Sequence, residues 1–178
     1  GVGGVIAPQA FKEIGCEVIE LFSEVDGNFP NHHPDPSDPK NLEDLQSKIK
    51  ESNADIGIAL DGDADRVGIV DNSGKIIYPD IQMILYAGQV LEKNKNATII
   101  FDVKCSNVLK NFIEENSGIA YMSKTGHSFI KKNLFEKNAL LAGEMSGHIF
   151  FKDRWFGFDD AIYACLLYTS DAADDSLR

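Results

Sequence analysis

The sequence has few cysteines, a shortage of basic residues and no long apolar run, and each shortage excludes a class of protein. Its three cysteines, Cys16, Cys105 and Cys165, are widely spaced and odd in number, which favours free thiols in a reducing compartment over a disulfide framework. Lysine and arginine total 17 against 28 acidic residues, a net charge of −11, so no nucleic-acid partner is expected. No run approaches the roughly 20 apolar residues of a membrane span, and no basic-then-apolar leader opens the chain. These shortages predict a soluble, cytoplasmic protein without a membrane partner.

The sequence does have enough apolar residues for a core, and they follow two alternating periods. Of the 178 residues, 43% are hydrophobic. Strand-like runs such as ADIGIAL (54–60) and ATIIFDV (97–103) alternate with helix-like segments such as NLEDLQSKIKESN (41–53). This alternation predicts an α/β fold in which helices cover sheets.

Two local predictions concern single elements. The run CEVIELF (16–22) is predicted to be a strand. The segment DIQMILYAGQVLEKN (80–94) is predicted to be a helix with Asp80 as its N-cap. The predicted core face of that helix consists of Ile81, Ile84, Leu85 and Leu91.

The turn NSGK (72–75) is the predicted boundary between two domains, at residues 1–75 and 76–165, because each side carries its own alternating set. Before it, the segment DGNFPNHHPDPSDP (26–39) contains four prolines and cannot form regular structure. A loop of this length is often functional, and a proline-stiffened connection is the alternative.

Both ends of the chain are expected to be truncated. The opening GVGG has no strand before it, although a loop of this kind commonly follows one. At the other end, the last predicted helix becomes small and acidic after Leu167, and residues 166–178 are predicted to be a non-native tail.

The motif DGDADR (61–66) places Asp61, Asp63 and Asp65 two residues apart between two apolar strands. Carboxylate oxygens are the ligands that magnesium, manganese and calcium prefer, and Gly62 allows the backbone to curl so that all three converge. Repulsion among unpaired carboxylates is costly, so a cation or a basic neighbour is expected. Arg66 can pair with a carboxylate or grip a phosphate.

This motif has three other interpretations. An EF-hand would need glycine at its sixth position and glutamate at its twelfth, where this chain has arginine and asparagine. A haloacid-dehalogenase-type phosphatase also uses aspartates after a buried strand, but its motif usually continues D-G-T. A solvated acidic turn without function is the simplest alternative.

Two further motifs follow predicted strands. FDVKCSN (101–107) places Lys104 just beyond a strand end, where α/β folds bind ligands; a solvated lysine is the simpler interpretation. The stretch SKTGHSFIKK (123–132) places Thr125, Gly126 and His127 in a strand-to-helix turn whose backbone donors suit an anion. A capped helix with an exposed histidine is the alternative.

A last motif, GEMSGHIFF (143–151), alternates Glu144, Ser146 and His148 along an extended segment. Alternate residues of an extended chain share one face. Groups that donate and accept hydrogen bonds suit the recognition of sugar hydroxyls.

These motifs, together and in this order, resemble the α-D-phosphohexomutase family, of the bacterial phosphomannomutase/phosphoglucomutase type. DGDADR is similar to the family's metal loop, KTGH and GEMSGH to its sugar-recognition loops, and NFPNHHPDP (28–36) to its interdomain segment. The resemblance covers residues 1–165. Met145 stands where phosphoglucosamine mutases typically have glutamine, which favours the mannose/glucose branch.

The resemblance implies two consecutive mixed-sheet α/β domains, the second and third of the family's four. It implies an isomerase of carbohydrate metabolism, an intramolecular phosphotransferase that interconverts the 1- and 6-phosphates of mannose or glucose. In the family, a phosphoserine on the first domain donates its phosphoryl group, a hexose bisphosphate forms and reorients, and the other phosphate returns to the serine. Mg²⁺, held by three aspartates and the phosphoserine, assists each transfer.

The same resemblance assigns roles to individual residues. The Mg²⁺ ligands would be Asp61, Asp63 and Asp65. Catalytic roles would fall to Arg66 at the phosphoryl group, to Lys104 as a candidate for proton transfer, and to His148. The implied substrate contacts are Lys104, Thr125, Gly126, His127, Glu144, Ser146 and His148.

One departure from the family limits what this chain is expected to do alone. It contains no serine motif of the TASHNP kind, and the domain that carries the family's main phosphate-binding loop is missing. We therefore expect no mutase turnover from the isolated chain, although weak Mg²⁺ binding can survive. A sugar phosphatase with an aspartate nucleophile and a non-catalytic metal- or sugar-phosphate-binding module stay open as alternatives.

Overall fold

The computed structural model describes residues 1–175, and its first half is a three-stranded antiparallel sheet with helices beside it. The elements are α1 (Gly3–Glu13), a 3₁₀ turn (Pro39–Leu42), α2 (Glu43–Ser52), β1 (Ile56–Leu60), β2 (Val67–Asp71) and β3 (Ile76–Ile77). The strands are ordered β1-β2-β3. The tight turn between β2 and β3 is held by the Asp71 carboxylate, which accepts hydrogen bonds from Ser73 and Lys75.

The second half is a four-stranded mixed sheet with helices beside it. Its elements are α3 (Pro79–Lys93), β4 (Thr98–Asp102), α4 (Asn107–Glu115), β5 (Ile119–Ser123), α5 (His127–Glu136), β6 (Leu141–Gly143), β7 (Ile149–Phe151) and α6 (Ala161–Asp175). The strand order is β5-β4-β6-β7. Strand β4 is parallel to both β5 and β6, whereas β7 runs antiparallel to β6 at the edge. The predicted α/β class is confirmed.

One apolar core joins the two sheets. Val67 and Ile69 of β2 are fully buried in the same cluster as Phe101 of β4 and Phe151 of β7. The opposite face of β2 is covered separately, where Val70 packs against α2. Because β2 is buried on both faces, the loop that precedes it is held at the junction of the two halves. Within residues 1–175, no helix is both long and apolar enough to cross a bilayer.

The predicted strand at residues 16–22 is wrong. This segment is irregular and lines a cavity of 330 Å³ that also borders β1. A strand requires a neighbour to complete its hydrogen bonds, and within the described residues this segment pairs with none.

The start of α3 also differs from its prediction. Tyr78 is the N-cap and Pro79 occupies the first turn, where a proline is favoured. The Asp80 carboxylate instead accepts a hydrogen bond from the Ser106 amide at 3.0 Å. Ile81, predicted to be in the core, is 45% exposed, because the helix turns a different face inward. That buried face consists of Asp80, Gln82, Met83, Tyr86, Ala87, Val90 and Leu91.

One predicted domain boundary, after residue 75, falls inside the first sheet, and the other, after residue 165, falls inside a helix. Strand β3 at 76–77 pairs with β2, so the first sheet continues past residue 75. Helix α6 continues past residue 165, and Leu166, Leu167 and Tyr168 pack against the main core. The non-native origin of residues 166–178 stays a prediction, and residues 176–178 lie outside the described part of the chain.

Candidate active site

The loop between β1 and β2 brings its three aspartates together. One carboxylate oxygen of each of Asp61, Asp63 and Asp65 lies within 4.8 Å of the other two. Asp61 is buried, Asp63 is exposed and Asp65 is intermediate. Ala64 adopts a left-handed conformation with φ of 63°, which lets the chain turn between the second and third carboxylates.

Arg66 closes this loop by pairing with Asp61. Asp61 Oδ2 accepts from Arg66 Nε at 2.7 Å, and Asp61 Oδ1 accepts from the amides of Asp65 and Arg66 at 3.0 and 3.1 Å. Burial disfavours the charged form of Asp61, but the hydrogen bonds from Arg66 outweigh it and lower the pKa of this carboxyl. Arg66 Nη1 also donates to Asp35 Oδ1 at 2.9 Å, which ties the proline-rich loop to the site.

Asp65, the third carboxylate, has a raised pKa, whereas the pKa of Asp61 is lowered. Burial, together with the neighbouring Asp61 and Asp63, raises the pKa of Asp65 to about 6. A bound cation would relieve this repulsion. Each carboxylate oxygen has two lone pairs, so Asp61 Oδ2 can still bind an ion beside Arg66. The donor set therefore fits a hard divalent cation such as Mg²⁺.

The GEMSGH loop docks directly on the aspartate loop. Arg66 and His148 form an isolated antiparallel bridge, and the Val67 amide donates to the Gly147 carbonyl at 3.1 Å. The start of α6 joins the same contact, because the Ala161 amide donates to the Ala64 carbonyl at 3.3 Å. Backbone hydrogen bonds thus bring the two predicted motifs together.

A histidine pair lies beside this contact. His148 Nδ1 is 2.9 Å from Asp159 Oδ2 and 3.6 Å from Asp65 Oδ1. The His127 ring stacks on the His148 ring with centroids 5.5 Å apart. Burial alone would lower the pKa of His148, but the pairing with Asp159 raises it, and the same pairing lowers the pKa of Asp159. The sequence analysis did not predict Asp159 as a site residue. The one feature that pointed to it is the pair of acidic residues after the aromatic loop.

Glu144 links the two loops predicted to recognise sugar. Its buried carboxylate accepts a hydrogen bond from the Gly126 amide, and its own amide donates to the His148 carbonyl at 2.9 Å. One oxygen of Glu144 therefore holds the start of α5 in place. Its other oxygen has no hydrogen bond to the described residues.

Asp102, at the end of β4, is a second residue that the sequence analysis missed. It is fully buried, and its Oδ2 accepts from Thr125 Oγ1 at 2.9 Å. Its Oδ1 accepts from the Met145 amide and the Cys105 thiol, each at 3.2 Å. Thr125 is thus turned toward Asp102. An acidic residue that ends an apolar strand run was the available signal.

We expect Asp102→Asn to lower the free energy of unfolding by about 1–3 kcal/mol, because an amide nitrogen would face a donor in a buried position. Urea unfolding monitored by circular dichroism measures this loss. The control is Asp55→Asn, the same change at an exposed position. Equal unfolding free energies for the two variants would show that Asp102 does not connect these loops.

The remaining predicted residues are less constrained. Lys104 is exposed directly after β4, and Ser146 is partly exposed in the docked loop. Neither side chain makes a hydrogen bond or ion pair with the rest of residues 1–169, the part of the chain whose side chains the structure describes. The structure therefore brings Asp61, Asp63, Asp65, Arg66, Gly126, His127, Glu144 and His148 into one connected network and leaves Lys104 and Ser146 at its edge.

Comparisons with known proteins identify the family of the chain. Residues 1–74 match the model of phosphoglucomutase/phosphomannomutase alpha/beta/alpha domain II, and residues 78–176 match the model of domain III. The chain is 62% identical over 164 residues to a phosphomannomutase/phosphoglucomutase of Pseudomonas putida and 59% identical to a phosphoglucomutase of Neisseria gonorrhoeae. Each alignment covers 92% of this chain, but only 35% and 36% of the respective relatives.

A solved structure shows the same similarity in three dimensions. A phosphoglucomutase/phosphomannomutase family protein of Burkholderia thailandensis superimposes with a TM-score of 0.91 at 56% identity. The match covers 94% of this chain and 37% of that one. The chain thus spans about a third of the length of the relatives that it matches, and it belongs to the phosphoglucomutase/phosphomannomutase family, whose second and third α/β/α domains it carries.

Proposed function

We propose that this chain is part of an enzyme that interconverts hexose 1-phosphates and hexose 6-phosphates, with mannose or glucose as the sugar, through a hexose bisphosphate. The observation that carries the proposal is the convergence of three carboxylates beside Arg66, with the GEMSGH loop docked on them. The names of its relatives, phosphomannomutase/phosphoglucomutase and phosphoglucomutase, support the same reaction.

Mg²⁺ would be held by Asp61, Asp63 and Asp65, and when bound it would neutralise charge on the oxygens of the transferred phosphoryl group. Arg66 contributes to the same task from the protein side. Two of its five N–H donors bind Asp61 and Asp35, so three remain for a phosphate. Because those two carboxylates hold the guanidinium in place, little side-chain entropy is lost when a phosphate binds.

Residues of the second half of the chain would bind the sugar and transfer a proton to or from the substrate. Glu144, fixed by the Gly126 amide, and the partly exposed Ser146 offer an acceptor and a hydroxyl to sugar hydroxyl groups. Nδ1 of His148 faces Asp159, so Nε2 is the nitrogen left to exchange a proton with the substrate. The exposed amine of Lys104 is the other candidate for proton transfer.

A phosphatase with an aspartate nucleophile is less well supported. Asp61 would be the nucleophile, since it directly follows β1, but its oxygens accept hydrogen bonds from Arg66 Nε and from two amides of its own loop. These bonds stabilise the negative charge of the carboxylate and so make it a weaker nucleophile.

A chimeric enzyme tests the proposal. The matching third of the Pseudomonas putida relative is replaced by this chain's 164 aligned residues, and turnover of mannose 1-phosphate and glucose 1-phosphate is measured with Mg²⁺. We expect turnover, and we expect Asp63→Ala in the chimera to lower kcat on the order of 100-fold, the loss of several kcal/mol that metal ions contribute. Asp55→Ala, an exposed acidic residue away from the loop, is the matched control.

A folded chimera without turnover would contradict the proposal, with folding checked by a melting temperature near that of the parent enzyme. Conversion of glucose 1-phosphate to glucose 6-phosphate by the 178-residue chain alone would instead contradict our expectation that the isolated chain is inactive. Release of inorganic phosphate by that chain, abolished by Asp61→Asn, would favour the phosphatase instead.

A further inference from the structure

A second cluster of ligand atoms lies where the two halves meet, next to the aspartate loop. One ligand atom of each of Asp65, His148 and Asp159 lies within 4.8 Å of the other two. The closest pair is His148 Nδ1 and Asp159 Oδ2 at 2.9 Å, and His148 Nδ1 is 3.6 Å from Asp65 Oδ1. These residues come from three separate loops.

The separations are close to those of a tetrahedral metal site. Zinc binds histidine nitrogen and carboxylate oxygen at about 2.0–2.1 Å, which puts neighbouring ligand atoms about 3.3 Å apart. The observed 2.9 and 3.6 Å fall on either side of this value. Small side-chain adjustments would therefore complete the geometry.

Two of these atoms also lack a properly directed hydrogen bond. His148 Nδ1 and Asp159 Oδ2 are both inaccessible to solvent, and neither makes a hydrogen bond of good geometry with the described residues. Their 2.9 Å contact is an ion pair that lies off the hydrogen-bond direction. Buried polar atoms normally find a partner, and a cation between them would supply one.

His127 is placed to provide the fourth ligand. Its Nδ1 is 3.7 Å from Asp159 Oδ2, and its ring stacks on that of His148. Its side chain is 61% exposed, so the ring can turn toward an ion without disturbing the core.

We propose that Asp65, His127, His148 and Asp159 form a site for a borderline divalent cation, with Zn²⁺ as its best fit. Two imidazoles with two carboxylates suit zinc, whereas an all-carboxylate set suits magnesium. Asp65 belongs to both ligand sets, so Zn²⁺ here withdraws a carboxylate from the aspartate loop and weakens Mg²⁺ binding there. All four residues belong to this chain. Because Asp65 and His148 also have roles in the proposed mutase reaction, Zn²⁺ here would compete with that reaction, but its binding can be measured without turnover.

Isothermal titration of the purified chain with Zn²⁺ tests the site. The Cys16→Ser variant serves as the background, because Cys16 is an exposed free thiol that can bind zinc itself. We expect His127→Ala and Asp159→Asn each to weaken Zn²⁺ binding 10-fold or more. Asp63→Asn, which alters the aspartate loop alone, should change it less than twofold, and His33→Ala controls for loss of an exposed histidine. Visible absorption of added Co²⁺ provides a second measure of four-coordinate binding.

Several results would overturn the site. The first is that the chain does not bind Zn²⁺ at all. The second is that Asp63→Asn lowers the Zn²⁺ affinity while Asp159→Asn does not. The third is that His33→Ala and His127→Ala lower the Zn²⁺ affinity equally. If Asp159→Asn does not fold, the exposed His127→Ala decides the question by itself. A negative result leaves the mutase proposal untouched, since the chimera is assayed with Mg²⁺.

Discussion

Asp61→Ala is expected to lower the free energy of unfolding by about 2–4 kcal/mol, whereas Asp63→Ala is expected to leave it within about 0.5 kcal/mol. Asp61 is 2% exposed and accepts hydrogen bonds from Arg66 Nε and from two amides of its loop. Without it, three donors lose their partner and the guanidinium of Arg66 is left with Asp35 as its nearest strong ion pair. Asp63 is exposed, and its side chain makes no hydrogen bond with the described side chains and backbone of residues 1–169.

The pair of variants separates folding from metal binding. Both remove a carboxylate of the predicted Mg²⁺ site, so both should lose Mg²⁺-dependent stabilisation against urea. With EDTA present, the Asp61 variant alone should be destabilised. If Asp63→Ala lowers stability in EDTA as much as Asp61→Ala does, the buried ion pair is not what holds this loop.

The second large effect is expected at Gly147, where an added methyl group has no room. Gly147→Ala should lower the free energy of unfolding by about 2–5 kcal/mol, because strain from positive φ and overpacking add. Gly147 has φ of 101°, and a Cβ there would lie 2.8 Å from the Val67 carbonyl oxygen. That neighbour is backbone of the central strand β2, which cannot rotate away.

Urea unfolding of Gly147→Ala measures this loss, with Gly27→Ala as the control. A Cβ on Gly27 would meet nothing within 4 Å, and its φ lies outside the range that disfavours a side chain. Because Gly147 joins the GEMSGH loop to β2, the variant should also expose the junction to limited proteolysis. Unchanged stability and protection in Gly147→Ala would show that the two halves are not joined through this contact.

Short-range features were predictable from the sequence. The aspartate loop depends on residues within five positions of one another, and the structure places their carboxylates within reach of one ion. The two alternating hydrophobic periods likewise predicted the α/β class, and the motif resemblance predicted the family; both are confirmed. The identity of the bound metal and the role of each site residue stay predictions.

Long-range features were not predictable. Asp35 binds Arg66 across 31 positions, and Asp102 binds Thr125 across 23 and the Met145 amide across 43. No local pattern distinguishes these acidic residues from solvated ones. The same reason explains the wrong N-cap at Asp80, whose carboxylate is taken by an amide 26 positions away.

Apart from segment 16–22, which was wrongly predicted to be a strand, the sequence by itself determined the alternation of helices and strands and the three-aspartate loop. Periodicity and spacing act between near neighbours, and so they can be read from the sequence. The tertiary structure alone decided which carboxylates are paired and which are left for a ligand. Asp61 and Asp65 stand four positions apart in one motif, yet Arg66 lowers the pKa of the first while burial raises that of the second to about 6. That difference depends on how the loops pack, since burial and charge pairing are properties of the assembled site.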